Sequence, residues 1–181
     1  MKNIKLLIGA ATILSASAFT IINLINWKVK DDYSVKFSSG HLEGNFKGLK
    51  TAILFDEANP EKSKITASID ATTIKTGSGE ADGHVKEALS TDKFPVITFV
   101  SIAVSKTGSG YEATGNLTLR GVTKIIKFPF FFDSKKTSNR FPFVDKETFN
   151  GKITIAPKDF NVTRQGTPAE VYIDLTIPVA K

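Results

Sequence analysis

The chain has 181 residues, a formal net charge of +6, two histidines and no cysteine. The missing cysteine excludes a disulfide framework, a thiolate metal site and a cysteine nucleophile. The basic residues are scattered singly, with Lys135-Lys136 the one adjacent pair. That argues against a nucleic-acid face, where cationic charge is clustered, and suits solubility or weak, transient contact with anionic lipid head groups.

At the N-terminus, Lys2 and Lys5 flank the start of a short apolar run, Leu6 to Leu14. Ala16-Ser17-Ala18 then supplies small residues at A-x-A spacing. This is the signature of a secretory signal peptide cleaved near Ala18. The run is too short to span a bilayer, which takes about 20 apolar residues. Residues 1–18 are therefore read as a signal peptide and residues 19–181 as one exported domain, periplasmic or secreted. Its length is enough for a real core.

Past residue 27 the pattern is alternation. Ile65, Ala67, Ile69 and Ala71 alternate with Thr66, Ser68 and Asp70. Tyr111, Ala113, Gly115, Leu117 and Leu119 alternate with Glu112, Thr114, Asn116 and Thr118. Val171, Ile173, Leu175 and Ile177 alternate with Tyr172, Asp174 and Thr176. Such segments are half-buried antiparallel strands with one dry and one wet face. Val96 to Val104 is more evenly apolar and its facing is ambiguous. Turn residues at Asn59–Lys62 and Lys106–Gly110 predict hairpins on either side of these strands. Short turns favour an up-and-down meander. Thr76 to Lys93 lacks the two-residue period. Ser78 is a candidate cap for a short helix whose Val85, Ala88 and Leu89 share a face and which plugs or flanks a barrel end. Lys135 to Arg140 reads as a polar loop, and Phe141-Pro142-Phe143 as an edge or lid segment.

The most informative stretch is Leu117 to Phe132, a strand, a tight turn at Arg120-Gly121-Val122-Thr123 and a second strand. On the second strand Ile126, Phe128, Phe130 and Phe132 form one row, with Lys124 and Lys127 outside it. Rings need no hydrogen-bond partners, so the row serves equally to fill a core or to wall an apolar cavity.

The histidines, His41 and His84, have neighbours such as Asp82 and Glu87. With no Cys and no Gly-x-Ser-x-Gly elbow these do not compose a catalytic constellation. No zinc-ligand spacing is present. The chain is read as a non-enzyme, without metal or cofactor. Thr76-Gly77-Ser78-Gly79 lacks the Gly-Lys-[Ser/Thr] of a phosphate loop and reads as a turn into the helix. The N–H groups at that helix start are a candidate seat for a pyrophosphate head. An outer-membrane barrel would need aromatic girdles and an apolar exterior, whereas the aromatic residues here are mostly Phe within strands.

From Trp27 to Lys181 the chain resembles the YceI family of lipid- or polyisoprenoid-binding-like proteins. The resemblance runs through Trp27-Lys28-Val29 and Ser34-Val35-Lys36-Phe37, Glu43-Gly44-Asn45-Phe46, Ile69-Asp70-Ala71 with Ile74 and Thr76-Gly77, His84-Val85, and Phe94-Pro95-Val96-Ile97-Thr98-Phe99. It is densest at Tyr111-Glu112-Ala113-Thr114-Gly115-Asn116-Leu117-Thr118-Leu119-Arg120-Gly121-Val122-Thr123-Lys124. Lys158-Asp159-Phe160-Asn161-Val162 and Val171-Tyr172-Ile173-Asp174-Leu175 complete it. There are two departures. Tyr33 stands where the family usually has His, and Pro157 where it often has Arg.

The resemblance implies an all-β, eight-stranded antiparallel barrel of lipocalin-like shape with one short helix. It also implies a bound isoprenoid or other long-chain amphiphile as the ligand, such as a polyprenyl chain or an isoprenoid quinone, and it allows for a homodimer. On that reading Phe37, Phe46, Phe99, Phe128, Phe130, Phe132 and Ile173 line the interior, joined by Ile69, Ala71, Leu117 and Phe160. The protein is then an exported carrier, store or stress-protective binder. The alternative is a filled barrel acting through its surface as an interaction or stress-associated module. Gly44, Ala67, Ala71, Ala113 and Gly115 serve both readings. They leave room opposite the rings, or they form the small half of interdigitated packing.

Overall fold

A computed structural model describes residues 24–135 and 146–181. The expected signal peptide, the polar loop beyond Lys135 and the Phe141-Pro142-Phe143 segment lie outside the described residues. The strands are β1 (Ile25–Val29), β2 (Ser34–Ser39), β3 (Leu42–Phe46), β4 (Lys50–Phe55), β5 (Lys64–Asp70), β6 (Val96–Thr107), β7 (Gly110–Leu119), β8 (Val122–Lys135), β9 (Lys146–Ile155) and β10 (Val171–Ala180). One helix, α1 (Gly79–Leu89), lies between β5 and β6.

These ten segments make eight barrel strands. β10 pairs with β1 at its end and with β2 along its first half. β4 pairs with β1, and β3 with β2. β1–β2 and β3–β4 are thus two long strands, each broken once, at residues 30–33 and 47–49. Tyr33 fastens the breaks together, its hydroxyl accepting the Leu49 N–H at 3.1 Å. From β4 the chain meanders antiparallel through β10, which returns to β1 and closes the ring. Closure leaves no full-length edge strand exposed. Beyond β4, the gap beside β3 is bridged by Asn45 and Lys75, which exchange backbone hydrogen bonds of 2.8 and 2.9 Å.

Alternation resolves facing as the sequence predicts. Along β7 the odd residues Tyr111 to Leu119 are buried and Glu112, Thr114, Asn116 and Thr118 face outward. β6 was ambiguous because it carries a bulge between Ser101 and Ala103. The extra residue shifts the inward set from Ile97 and Phe99 to Val104, leaving Val96, Val100 and Ile102 exposed. The β7–β8 turn places Arg120 at φ 51° and Gly121 at φ 72°, the positive-φ pair that matches strand twist in a two-residue hairpin. Lys127 is outside the Phe row and pairs with Glu112 at 3.7 Å. Lys124 sits in the row's own register, opposite Leu117, yet is exposed. β8 pairs with β9 only from Phe130 to Lys135, so the seam beside Lys124 is not closed by a strand. A 3-10 turn, Pro157–Phe160, packs against β8 there, with Phe160 only 2% exposed.

At the barrel end away from α1 the interior is solid with rings. Phe55 is 1% exposed. It meets Tyr111, Phe130 and Phe149 edge-to-face at 5.0, 5.8 and 5.2 Å, the geometry favoured by the ring quadrupole. Trp27 donates its indole N–H to the Phe55 carbonyl at 3.3 Å and packs on Phe132 at 5.1 Å. Below them Lys181 lies over the Trp27 ring and pairs with buried Glu147 at 3.5 Å. Phe55→Ala removes the central ring of this cluster and is expected to cost about 3–5 kcal/mol, read as a lowered denaturation midpoint with an unchanged m-value.

Candidate ligand-binding cavity

The interior above the aromatic floor is hollow, in two chambers. The upper one, about 450 Å³, opens at the α1 end. Its walls include Phe37, Leu42, Ile97, Leu119, Ile155, Val162 and Val171, with Val85, Ala88 and Leu89 of α1 across the top. The lower one, about 160 Å³, is walled by Ile53, Ile65, Ala67, Ile69, Phe99, Phe128, Ile153 and Leu175, and is floored by Phe130 and Phe149. Phe46, Ile97, Leu117 and Ile173 border both chambers and form the waist between them.

The hollow exists because large inward side chains lie along the wall. A Cβ on Gly44 would come within 2.6 Å of the Phe37 ring, and one on Gly115 within 2.5 Å of the Phe99 ring. Each ring therefore rests flat over a glycine of the adjacent strand. These glycines leave no void of their own; they let the rings keep out of the axis. Ala113, opposite Phe128 in register, is fully buried. Of Gly44, Ala67, Ala71, Ala113 and Gly115, it is Ala67 that borders the cavity.

Of the residues read from the sequence as cavity-lining, Phe37, Phe46, Leu117 and Ile173 border the upper chamber. Ile69, Phe99, Phe128 and Phe130 border the lower one. Three do not face the cavity. Ala71 is 1% exposed in a 3-10 turn beneath α1, its N–H held by the Pro95 carbonyl at 2.7 Å. Phe132 sits one step below the floor, packed on Phe149 at 4.7 Å. Phe160 fills the β8–β9 seam. The row on β8 thus serves both purposes, Phe128 as wall, Phe130 as floor and Phe132 as core.

Polar groups gather only at the mouth: Ser39, His84, Arg164, Gln165 and Thr167. Arg164 is already paired with Glu87 of α1 at 2.6 Å. The seat expected at the helix start is taken by the chain itself. Ser78 caps the helix, accepting from the Ala81 N–H. The first cavity-lining residue of α1 is His84, past its first turn. His41 is an exposed turn residue outside the cavity lining. Among the described residues no group of three or more His, Asp or Glu side chains is placed to hold a metal ion.

Two anchors hold the mouth. Asp82, 6% exposed, accepts from the Thr76 N–H at 2.6 Å, the Thr76 hydroxyl at 2.8 Å and Lys75 Nζ at 3.2 Å. It ties α1 to the segment that bridges β3. Arg120 donates from Nε to Ser90 Oγ at 3.1 Å and from Nη1 to the Asn161 carbonyl. Ser90, Arg120 and Asn161 are the non-glycine residues with positive φ among the described residues. A left-handed backbone costs a non-glycine residue about 1–2 kcal/mol. Here all three such residues meet at the point joining helix, hairpin turn and 3-10 turn.

Fold and cavity define a class: a closed eight-stranded antiparallel barrel enclosing an apolar chamber, the form in which such barrels hold one small guest. Within that class the chain belongs to the YceI family, the YceI-like domain matching residues 10–180. It is 37% identical over 142 residues to the UPF0312 protein of Pectobacterium carotovorum, covering 76% of this chain and 72% of that one. It matches Protein YceI of Salmonella arizonae to the same degree over the same shares. Among solved structures, BcnA of Burkholderia cenocepacia has a similar fold, with a TM-score of 0.75 at 24% identity over 85% of this chain and 100% of that one. A polyisoprenoid binding domain from Saccharophagus degradans aligns with a TM-score of 0.51 at 14% identity, over 81% of this chain and 91% of that one.

The Thr76 N–H and hydroxyl, with Lys75 beside them, hold the Asp82 carboxyl below its ordinary value of 3.8. A carboxylate depressed in the folded state stabilises above its unfolded pKa, and that contribution is lost as pH falls through the folded pKa. Asp82→Asn is expected to lower the melting temperature at pH 7. It should also flatten the fall in melting temperature between about pH 5 and pH 2, as followed by circular dichroism.

Proposed function

We propose that this protein is a non-catalytic, exported binder that takes the tail of one isoprenoid lipid, a polyprenyl chain or an isoprenoid quinone, into its two-chamber interior. It would carry, store or shield that lipid. The observation that supports this reading is the cavity: two adjoining chambers that share the waist residues Phe46, Ile97, Leu117 and Ile173, their walls mostly apolar. Its upper chamber alone falls within the ~300–1,000 Å³ of small-molecule sites, which pair apolar walls with a few polar groups. The Saccharophagus degradans neighbour, a polyisoprenoid binding domain, agrees with such a guest. The signal signature of residues 1–18 supports export to the periplasm or beyond. The scattered positive charge suits brief contact with a membrane surface during loading.

The mouth favours an uncharged head group that accepts hydrogen bonds. Ser39, Gln165 and Thr167 offer neutral donors. Among the described residues, Arg164 is the one arginine on the lining and pairs with Glu87, and no lysine borders the cavity. A pyrophosphate drawn against Val85, Leu89, Ile155 and Val162 would lose hydration, and among the described residues the one arginine beside it is shared with Glu87.

Purification from the native host without detergent, followed by organic extraction and mass spectrometry, is expected to yield one isoprenoid per protein. Recovery of a protein free of lipid that also fails to take up prenyl alcohols would favour a surface-acting barrel instead. Ala88→Trp, which projects an indole into the upper chamber from half-buried α1, is expected to cut lipid loading at least about tenfold while the circular dichroism spectrum is retained. Unchanged loading would place the ligand elsewhere.

A further inference from the structure

The lower chamber contributes no polar head-group site, yet it adjoins the upper one at Phe46, Ile97, Leu117 and Ile173 and is bounded below by packed rings. We infer that it is a chain-length ruler, with Phe130 and Phe149 as the stop and Gly151 setting the room above it; this rests on the isoprenoid reading of the cavity. The Phe130 and Phe149 centroids are 6.1 Å apart. Phe55 backs both rings, at 5.8 and 5.2 Å. Edge-to-face rings packed at interior density have no soft direction, so a tail entering past the waist halts there.

Gly151 is on the chamber wall just above this stop. It differs from the glycines of the ring-on-glycine pairs. A Cβ added to it meets Leu175, Phe128 and Phe130 at 3.5, 3.6 and 3.6 Å, ordinary contact distances, and its φ is not positive. The position therefore accepts a Cβ without backbone strain. The space it leaves adjoins the floor, where the terminal isoprene unit of a tail would rest. Two opposite changes follow. Gly151→Val fills that space and shortens the ruler. Phe149→Ala removes half of the stop and lengthens it.

The test uses the purified, delipidated protein and a graded series of prenyl alcohols: geraniol, farnesol, geranylgeraniol and longer. Binding is measured by competition with an environment-sensitive apolar fluorophore. Wild type is expected to tighten with each unit until the chamber is full and then to gain nothing. In Gly151→Val the plateau should come one unit earlier, with about tenfold weaker binding of the longest alcohol that wild type prefers and geraniol little affected. In Phe149→Ala it should come one unit later. Melting curves and circular dichroism identify variants that remain folded, and Ala67→Val, which adds bulk elsewhere in the same chamber, supplies an independent shortening variant if Phe149→Ala unfolds. Identical length profiles in wild type and folded variants would overturn the ruler and leave isoprenoid binding standing. Failure of wild type to bind any alcohol of the series would overturn both.

Discussion

An eight-stranded barrel has room for its own side chains or for one small guest. Which of the two it holds depends here on where two phenylalanine rings lie. Phe37 rests over Gly44 and Phe99 over Gly115, so closely that neither glycine could carry a Cβ without displacing a ring or the backbone beside it. Glycine in a strand sacrifices side-chain packing and backbone entropy. The return is that each ring spreads along the wall and the axis stays open. Every later feature presupposes this: the two chambers, the waist at Phe46 and Leu117, and the helix laid over an opening.

The ends of the barrel divide the remaining work. The far end is closed by the cluster around Phe55, which supplies the buried area that a hollow middle forgoes. The near end is held by polar contacts, Asp82 to Thr76 and Lys75, and Arg120 to Ser90 and Asn161. Such contacts can reopen more readily than a packed core, as loading requires. A lipid guest needs little else. Each methylene removed from water contributes about 0.8 kcal/mol, so a tail of several isoprene units outweighs association costs of about 4–15 kcal/mol with few directional contacts. Binding of this kind leaves no compact motif in a sequence.

Much of this was legible beforehand. Alternation identified the inward residues of β5, β7 and β10, and Ser78 marked the start of α1. The motif order from Trp27 to Leu175 identified the family. What failed did so for local reasons. The bulge in β6 changed parity midway, so its facing could not be read from a fixed period. Lys124 escaped its register because β8 and β9 separate toward the mouth. Ala71 continues the β5 alternation on paper, but Asp70 ends the strand by accepting the Thr72 N–H, turning Ala71 away from the chamber. Phe132 and Phe160 are aromatic and buried like the true lining residues. Sequence cannot tell a ring facing a void from one facing another ring. The mouth residues Arg164, Gln165 and Thr167 lie in an aperiodic loop, and Phe149 and Ile153 carry a two-residue period that was there to be found.

On the proposed function, the interior is an open, apolar space that a lipid fills, bounded by the wall-lying rings and the aromatic floor. A crystal structure of the protein purified from its native host without detergent tests this most directly. One continuous, elongated density is expected, entering beside Val85 and Ala88, passing the waist between Phe46 and Leu117, and ending against Phe130 and Phe149. An interior in which Phe37 and Phe99 have swung off their glycines to fill the axis, with no guest density, would contradict it.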